Sequence, residues 1–136
     1  MQGYEISTDR ARVDVGLVHR FLSESAYWAL AVPYDVVARS IEGSLCFGLY
    51  APAGVQAGFA RVITDTVSHA YLADVFVLPE HRGRGLGVWL VQTALAHPDV
   101  EQVDRVLLGT RDAHSLYARF GFGPFEYPER WLERRR

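Results

Sequence analysis

Residues 74–87 constrain this chain more than any other stretch: Asp-Val-Phe-Val-Leu-Pro-Glu-His-Arg-Gly-Arg-Gly-Leu-Gly. An apolar run ends at Pro79, and glycines follow at 83, 85 and 87. Such a run reads as a buried strand, a sharp turn and the first turn of a helix. Glycine lets the backbone approach an anion with no Cβ in the way. The amides that open a helix lack intrahelical partners, and the helix dipole favours negative charge beside them. Arg82 and Arg84 add positive charge. The stretch therefore predicts a phosphate cradle. It is not a dinucleotide fingerprint, because the third glycine comes one residue early for G-x-G-x-x-G, and it is not a Walker loop, because the chain has no lysine.

The rest of the chain surrounds this stretch with regular elements. A short strand is expected over residues 4–7, then a helix over 15–25 capped by Asp14, with Leu17, Val18, Phe21 and Leu22 forming an apolar stripe. Pro33 and Asp35 open a second helix that ends near Gly43. Strands at 45–50 and 56–63, joined by Pro52-Ala53-Gly54, form a hairpin. The apolar run 71–78 is a central strand buried on both faces. A helix over 85–96, a strand over 103–108, a helix over 112–120 stopped by Gly121, and a last strand over 123–127 complete the order. The fold class is α/β, a mixed sheet with helices on both faces.

Composition narrows the function classes. At 136 residues the chain makes one domain with one substantial core. A net charge of −2 gives no global attraction to nucleic acid or to an anionic membrane. No apolar run approaches the roughly 20 residues that span a bilayer, and no signal peptide is evident. The single cysteine, Cys46, excludes an internal disulfide and suits a cytoplasmic location. No cluster of His, Cys or carboxylates has metal-ligand spacing, so no metal is expected.

Two motifs carry a family resemblance. Arg82-x-x-Gly85-x-Gly87 resembles the acetyl-coenzyme-A-binding motif of the GNAT family of N-acetyltransferases. Leu116-Tyr117-Ala118-Arg119-Phe120-Gly121-Phe122 is similar to that family's other hallmark, a tyrosine on a late helix ahead of a Gly-Phe pair. One helix and one strand separate them, as in the family. The resemblance covers about residues 4–127 and implies a sheet whose two parallel strands, here 71–78 and 103–108, splay apart around acetyl-coenzyme A. It implies that the pyrophosphate rests on Arg82, Gly83, Arg84, Gly85, Leu86 and Gly87, and that the pantetheine arm pairs with Phe76, Val77 and Leu78. The family closes with two strands after the Gly-Phe pair, whereas only residues 123–136 remain here, so the last strand is short or missing. That leaves an open edge for a homodimer partner or a wider acceptor pocket.

The expected activity is direct acetyl transfer to a primary amine, on a small molecule or a peptide. Tyr117 is the candidate acid for the departing thiolate, beside the alternative of a packed helix tyrosine. Asp74 is the candidate base, because an unpaired carboxylate is costly inside a strand; the alternative is a structural hydrogen bond. The Asp-Val-Phe-Val-Leu-Pro run from Asp74 to Pro79 resembles that of diamine and thialysine acetyltransferases, which carry Glu-Asp where this chain has Ala73-Asp74. Glu24, Tyr27, Trp28, Tyr34, Arg61, Asp65 and Tyr71 are candidates for the acceptor side, and an Arg61 inside a strand calls for a carboxylate partner. His114, one turn before Tyr117, is a contact for the pantetheine, an alternative base, or a packed or hydrogen-bonded histidine. Two rival functions fit the same sequence: a coenzyme-A-binding sensor or interaction module without turnover, and a nucleotide binder.

Overall fold

The computed structural model describes residues 2–136. Five strands lie in chain order across one sheet: β1 (Glu5–Ser7), β2 (Leu45–Tyr50), β3 (Gln56–Thr64), β4 (His69–Val77) and β5 (Arg105–Leu107). The first four are antiparallel to their neighbours, and β5 runs parallel to β4. Helices α1 (Val15–Ser25) and α2 (Tyr34–Glu42) precede β2; α3 (Leu86–Ala96) and the short α4 (Pro98–Glu101) link β4 to β5; α5 (His114–Ala118) follows.

Local chemistry sets the helix limits. Asp14 accepts the Leu17 amide at 3.0 Å as an N-cap. Pro33, extended at φ −65°, precedes α2, and Gly43 closes it. α3 starts at Gly85, which holds φ +78°, a conformation open mainly to glycine.

Strand alternation divides the core between the two faces of the sheet. Phe47, Leu49, Ala60, Val62, Ala70, Leu72 and Val77 pack against Leu90, Val91 and Ala94 of α3. Cys46, Phe59 and Phe76 face the other way, against Val18 and Leu22 of α1 and Val37 and Ile41 of α2. Phe21 stacks on Phe76 with ring centroids 4.0 Å apart, closing that second layer.

β4 carries a bulge. Phe59 pairs with Phe76 but Arg61 pairs with Ala73, so Asp74 and Val75 together oppose Ala60. Asp74 takes φ +54°, a left-handed conformation that aspartate tolerates better than most residues. Gly58 makes the adjoining approach possible, because a Cβ there would lie 2.7 Å from the Phe76 carbonyl oxygen. That obstacle is backbone and cannot swing aside. Gly58→Ala is expected to cost about 2 kcal/mol and lower Tm by roughly 5–8 °C in a thermal melt.

The C-terminal half departs from the sequence expectation. No strand forms over residues 123–127; Pro124 lies within the segment and Pro128 follows it, and proline cannot donate to a ladder. Phe125 stacks on Trp131 at 4.3 Å, and Arg130 sits over the Tyr127 ring at 3.9 Å. β5 is therefore an edge strand among the described residues and is shorter than the expected 103–108. α5 is also shorter than expected, because the Thr110 hydroxyl holds the Ala113 amide and delays the helix start. The antiparallel run of β3 ends in a turn tied by Asp65, which accepts the amides of Val67, Ser68 and His69.

Candidate active site

Two structural features meet at the C-terminal end of β4. The first is a gap between parallel strands. β4 and β5 pair over only three rows, His69 with Arg105 to Tyr71 with Leu107, whereas β4 continues to Val77. Beyond Tyr71 its edge toward β5 has no strand against it. Leu78 donates its amide to Ala57, so the Gly58–Val77 row is a non-hydrogen-bonded pair and the Val77 amide and carbonyl point into the gap. Arg82 Nε donates to that carbonyl at 2.8 Å. Of the three residues whose backbone was expected to line the gap, Val77 does so, while the Leu78 amide belongs to the sheet.

The second feature is the turn itself. Gly83 and Gly85 both lie in the left-handed region, φ +81° and +78°. Among the described residues, backbone partners bracket the turn: the Arg82 amide bonds to Pro79 and the Trp89 amide to Gly85. From Gly83 to Val88 no amide has an acceptor among the described residues. Unpartnered amides converging at a helix start form an anion-binding nest. His81, at the foot of the turn, bonds to the Tyr4 hydroxyl at 2.8 Å and ties the loop to β1.

Opposite the turn, side chains gather around Asp74. Arg61 Nε donates to one carboxylate oxygen at 2.6 Å, and the Trp28 indole N–H to the other at 2.8 Å. Arg61 Nη1 also reaches the Ser44 hydroxyl at 3.1 Å. Arg61 thus finds its carboxylate inside the protein. The pair lies at the end of a cavity of about 200 Å³ between α1, α2 and the sheet. Trp28 lines that cavity, whereas Tyr27 and Tyr34 do not. Tyr34 packs edge-on against His19, and Tyr27 serves as a clasp. Its hydroxyl accepts the Arg111 amide at 2.7 Å, and the Arg111 guanidinium covers its ring at 3.9 Å. The clasp ties the α1–α2 loop to the β5–α5 loop across the open end of the gap. Arg111 and Ser44 were not singled out from the sequence; an arginine in a loop and a serine before a strand carry no local signal there.

Tyr117 lies on α5, edge-on to Phe122 at 5.8 Å, and lines a groove of about 1030 Å³ between β5 and residues 121–131. Burial, with Tyr27 nearby as a smaller cause, raises its pKa above the ordinary tyrosine value. The phenol therefore keeps its proton at neutral pH. His114 lines the same groove. Tyr71 reaches toward the chain just past β5, its hydroxyl 3.7 Å from where a Gly109 Cβ would stand. Two candidates fall away from this cluster. Asp65 sits in the β3–β4 turn at the other end of β4, where four hydrogen bonds from Val67, Ser68 and His69 depress its pKa strongly. Glu24 is exposed near the end of α1. Cys46 is buried, and burial raises its thiol pKa. No group of three or more His, Cys, Asp or Glu is placed to hold a metal among the described residues, and no helix is long and apolar enough to cross a membrane.

A gapped parallel strand pair beside an amide nest defines an α/β protein whose geometry suits an extended, phosphate-bearing ligand. The model of the acetyltransferase (GNAT) family matches residues 17–122. The chain belongs to the GNAT acetyltransferase family. It is similar to a Gibberella zeae protein provisionally named an acetyltransferase, 33% identical over 93% of this chain and 81% of that one. A crystal structure from Xanthomonas campestris pv. campestris, provisionally assigned as a GNAT acetyltransferase, superposes with a TM-score of 0.96 at 49% identity, over 99% of this chain and 94% of that one. A Clostridium acetobutylicum structure with acetyl-CoA shares the fold at a TM-score of 0.72 and 14% identity, over 99% and 96% of the two chains.

Proposed function

We propose that the protein moves an acetyl group from acetyl-CoA to the primary amine of a small molecule, in the cytoplasm, within a ternary complex. The run of unpartnered amides from Gly83 to Val88 beside the open β4 edge carries this reading. The amides receive the pyrophosphate, with Arg84 adding charge, and the β4 edge at Val77 receives the pantetheine arm; the Phe76 backbone pairs with Phe59 in the sheet and is not available to it. Acetyl-CoA supplies an activated thioester. The acceptor's nitrogen lone pair attacks the carbonyl carbon, the carbon–sulfur bond breaks, and sulfur leaves with the electron pair. The Val77 amide stabilises the carbonyl oxygen as charge develops on it. Tyr117 donates its proton to the sulfur. Before the attack Asp74 takes a proton from the acceptor's ammonium group, which frees the lone pair, and passes it to solvent; the second proton that the nitrogen sheds as the amide forms returns, through solvent, to the Tyr117 phenolate.

A titration calorimeter tests the cradle. Acetyl-CoA is expected to bind the wild-type protein and free nucleotides to compete poorly. Gly83→Val puts a β-branched side chain at a left-handed backbone position, and is expected to weaken acetyl-CoA binding by about tenfold or more. Equal affinity in wild type and variant would remove the turn from the binding site. A binding module without turnover is the second reading; it is favoured only by the ties on both Asp74 oxygens.

A further inference from the structure

We infer that the acceptor is an α-amino acid with a small apolar side chain, held whole in the cavity behind Trp28. The inference rests on the acetyl-transfer reading and names its second substrate. The cavity holds about 200 Å³, roughly seven waters' worth of space. Its walls are apolar: Leu22, Val32, Val37, Ile41 and Phe59. Its charged groups are Arg61 and Asp74, and they stand side by side.

That pairing selects the ligand's charge. An acceptor that brings only an ammonium group to Asp74 also brings it against the Arg61 guanidinium, which stands 2.6 Å from the same carboxylate. A purely cationic acceptor is therefore repelled at the point where its amine must be held. A ligand with only a carboxylate meets the converse repulsion from Asp74. A zwitterion satisfies both groups. Arg61 uses Nε on Asp74 and Nη1 on Ser44, and Nη2 has no hydrogen-bond partner among the described residues. Nη2 takes the ligand carboxylate. Each oxygen of Asp74 accepts one donor in the protein and has a second lone pair for the ligand's ammonium. The two ligand charges must be close together, as they are on an α-carbon. The apolar walls then take the side chain, and the volume admits one the size of valine or leucine. The indole N–H of Trp28 fixes the carboxylate so that it presents those lone pairs inward.

The test is acetyl-CoA-dependent turnover of L-leucine, 3-methylbutylamine, leucinamide and glycine, with calorimetry of each on CoA-loaded protein. Leucine is expected to exceed 3-methylbutylamine and leucinamide in kcat/KM by about tenfold or more, since both lack the carboxylate. It should exceed glycine by a similar factor, since glycine leaves the apolar walls empty. Val36→Phe narrows the mouth at an exposed position of α2 and should bring the leucine-to-glycine ratio toward unity. Acetylation of 3-methylbutylamine at the leucine rate, or an unchanged ratio in the variant, would overturn the inference. If amines or peptides are acetylated while leucine neither binds nor reacts, the pocket assignment fails and acetyl transfer stands. If leucine binds CoA-loaded protein but nothing is acetylated, the pocket stands and the transfer reading fails.

Discussion

Tyr117→Phe is expected to lower kcat by about 100-fold or more while leaving acetyl-CoA affinity within about threefold. The substitution removes one oxygen and keeps the ring, so the edge-on contact with Phe122 and the packing against the α3 layer survive. What is lost is the proton that the departing thiolate takes. Because burial raises the Tyr117 pKa, the acid stays loaded through neutral pH, and the wild-type rate should fall only above the ordinary tyrosine value of about 10. That alkaline limb should be absent from the residual activity of the variant. The same shift bears on stability with a definite sign. The folded state holds the proton more tightly than the unfolded chain does. The Tyr117 contribution is therefore fully present below about pH 10 and is lost as pH rises toward the raised folded value. Steady-state rates across pH with calorimetric affinities check all of this. A parallel loss of affinity and fold would make Tyr117 a packing residue.

Arg61→Met is expected to destabilise the protein by about 2–4 kcal/mol, the largest stability effect of any single substitution considered. Arg61 and Asp74 have side chains only 16% and 12% exposed, so water replaces the lost partner poorly. The carboxylate that remains sits at a left-handed bulge position, held by Trp28 alone. Asp74→Asn added to Arg61→Met removes the stranded charge, keeps an oxygen for the indole, and should recover more than half of the loss. Urea unfolding of the two single variants and the double variant closes the cycle. Additive losses would show that the pair is not coupled and that solvent reaches Asp74 freely.

Much of this molecule could be read from the order of its residues. The limits of α1 and β2 follow from Asp14 as a cap and from turn residues around an apolar run, signals contained in a few neighbouring positions. The glycine turn was legible for the same reason, since left-handed backbone at 83 and 85 demands glycine locally. The need of Arg61 for a carboxylate was also visible, but not that Asp74 supplies it, because a bulge sets which β4 residue faces Arg61. The Tyr27–Arg111 clasp joins positions 84 apart in sequence and depends on two loops meeting across the gap. The final strand failed for a reason partly present in the sequence: Pro124 within residues 123–127 and Pro128 just after them cannot donate to a ladder, and Phe125 stacks on Trp131 instead of extending a strand.

The most direct test of the account is thiol release from acetyl-CoA, followed with purified protein across amino acids, alkylamines, polyamines and short peptides. The account predicts saturable, acceptor-dependent release with one small-molecule class, and its near-complete loss in Tyr117→Phe. Protein that binds acetyl-CoA through the glycine turn yet releases no thiol with any acceptor would contradict it and leave a binding module in its place.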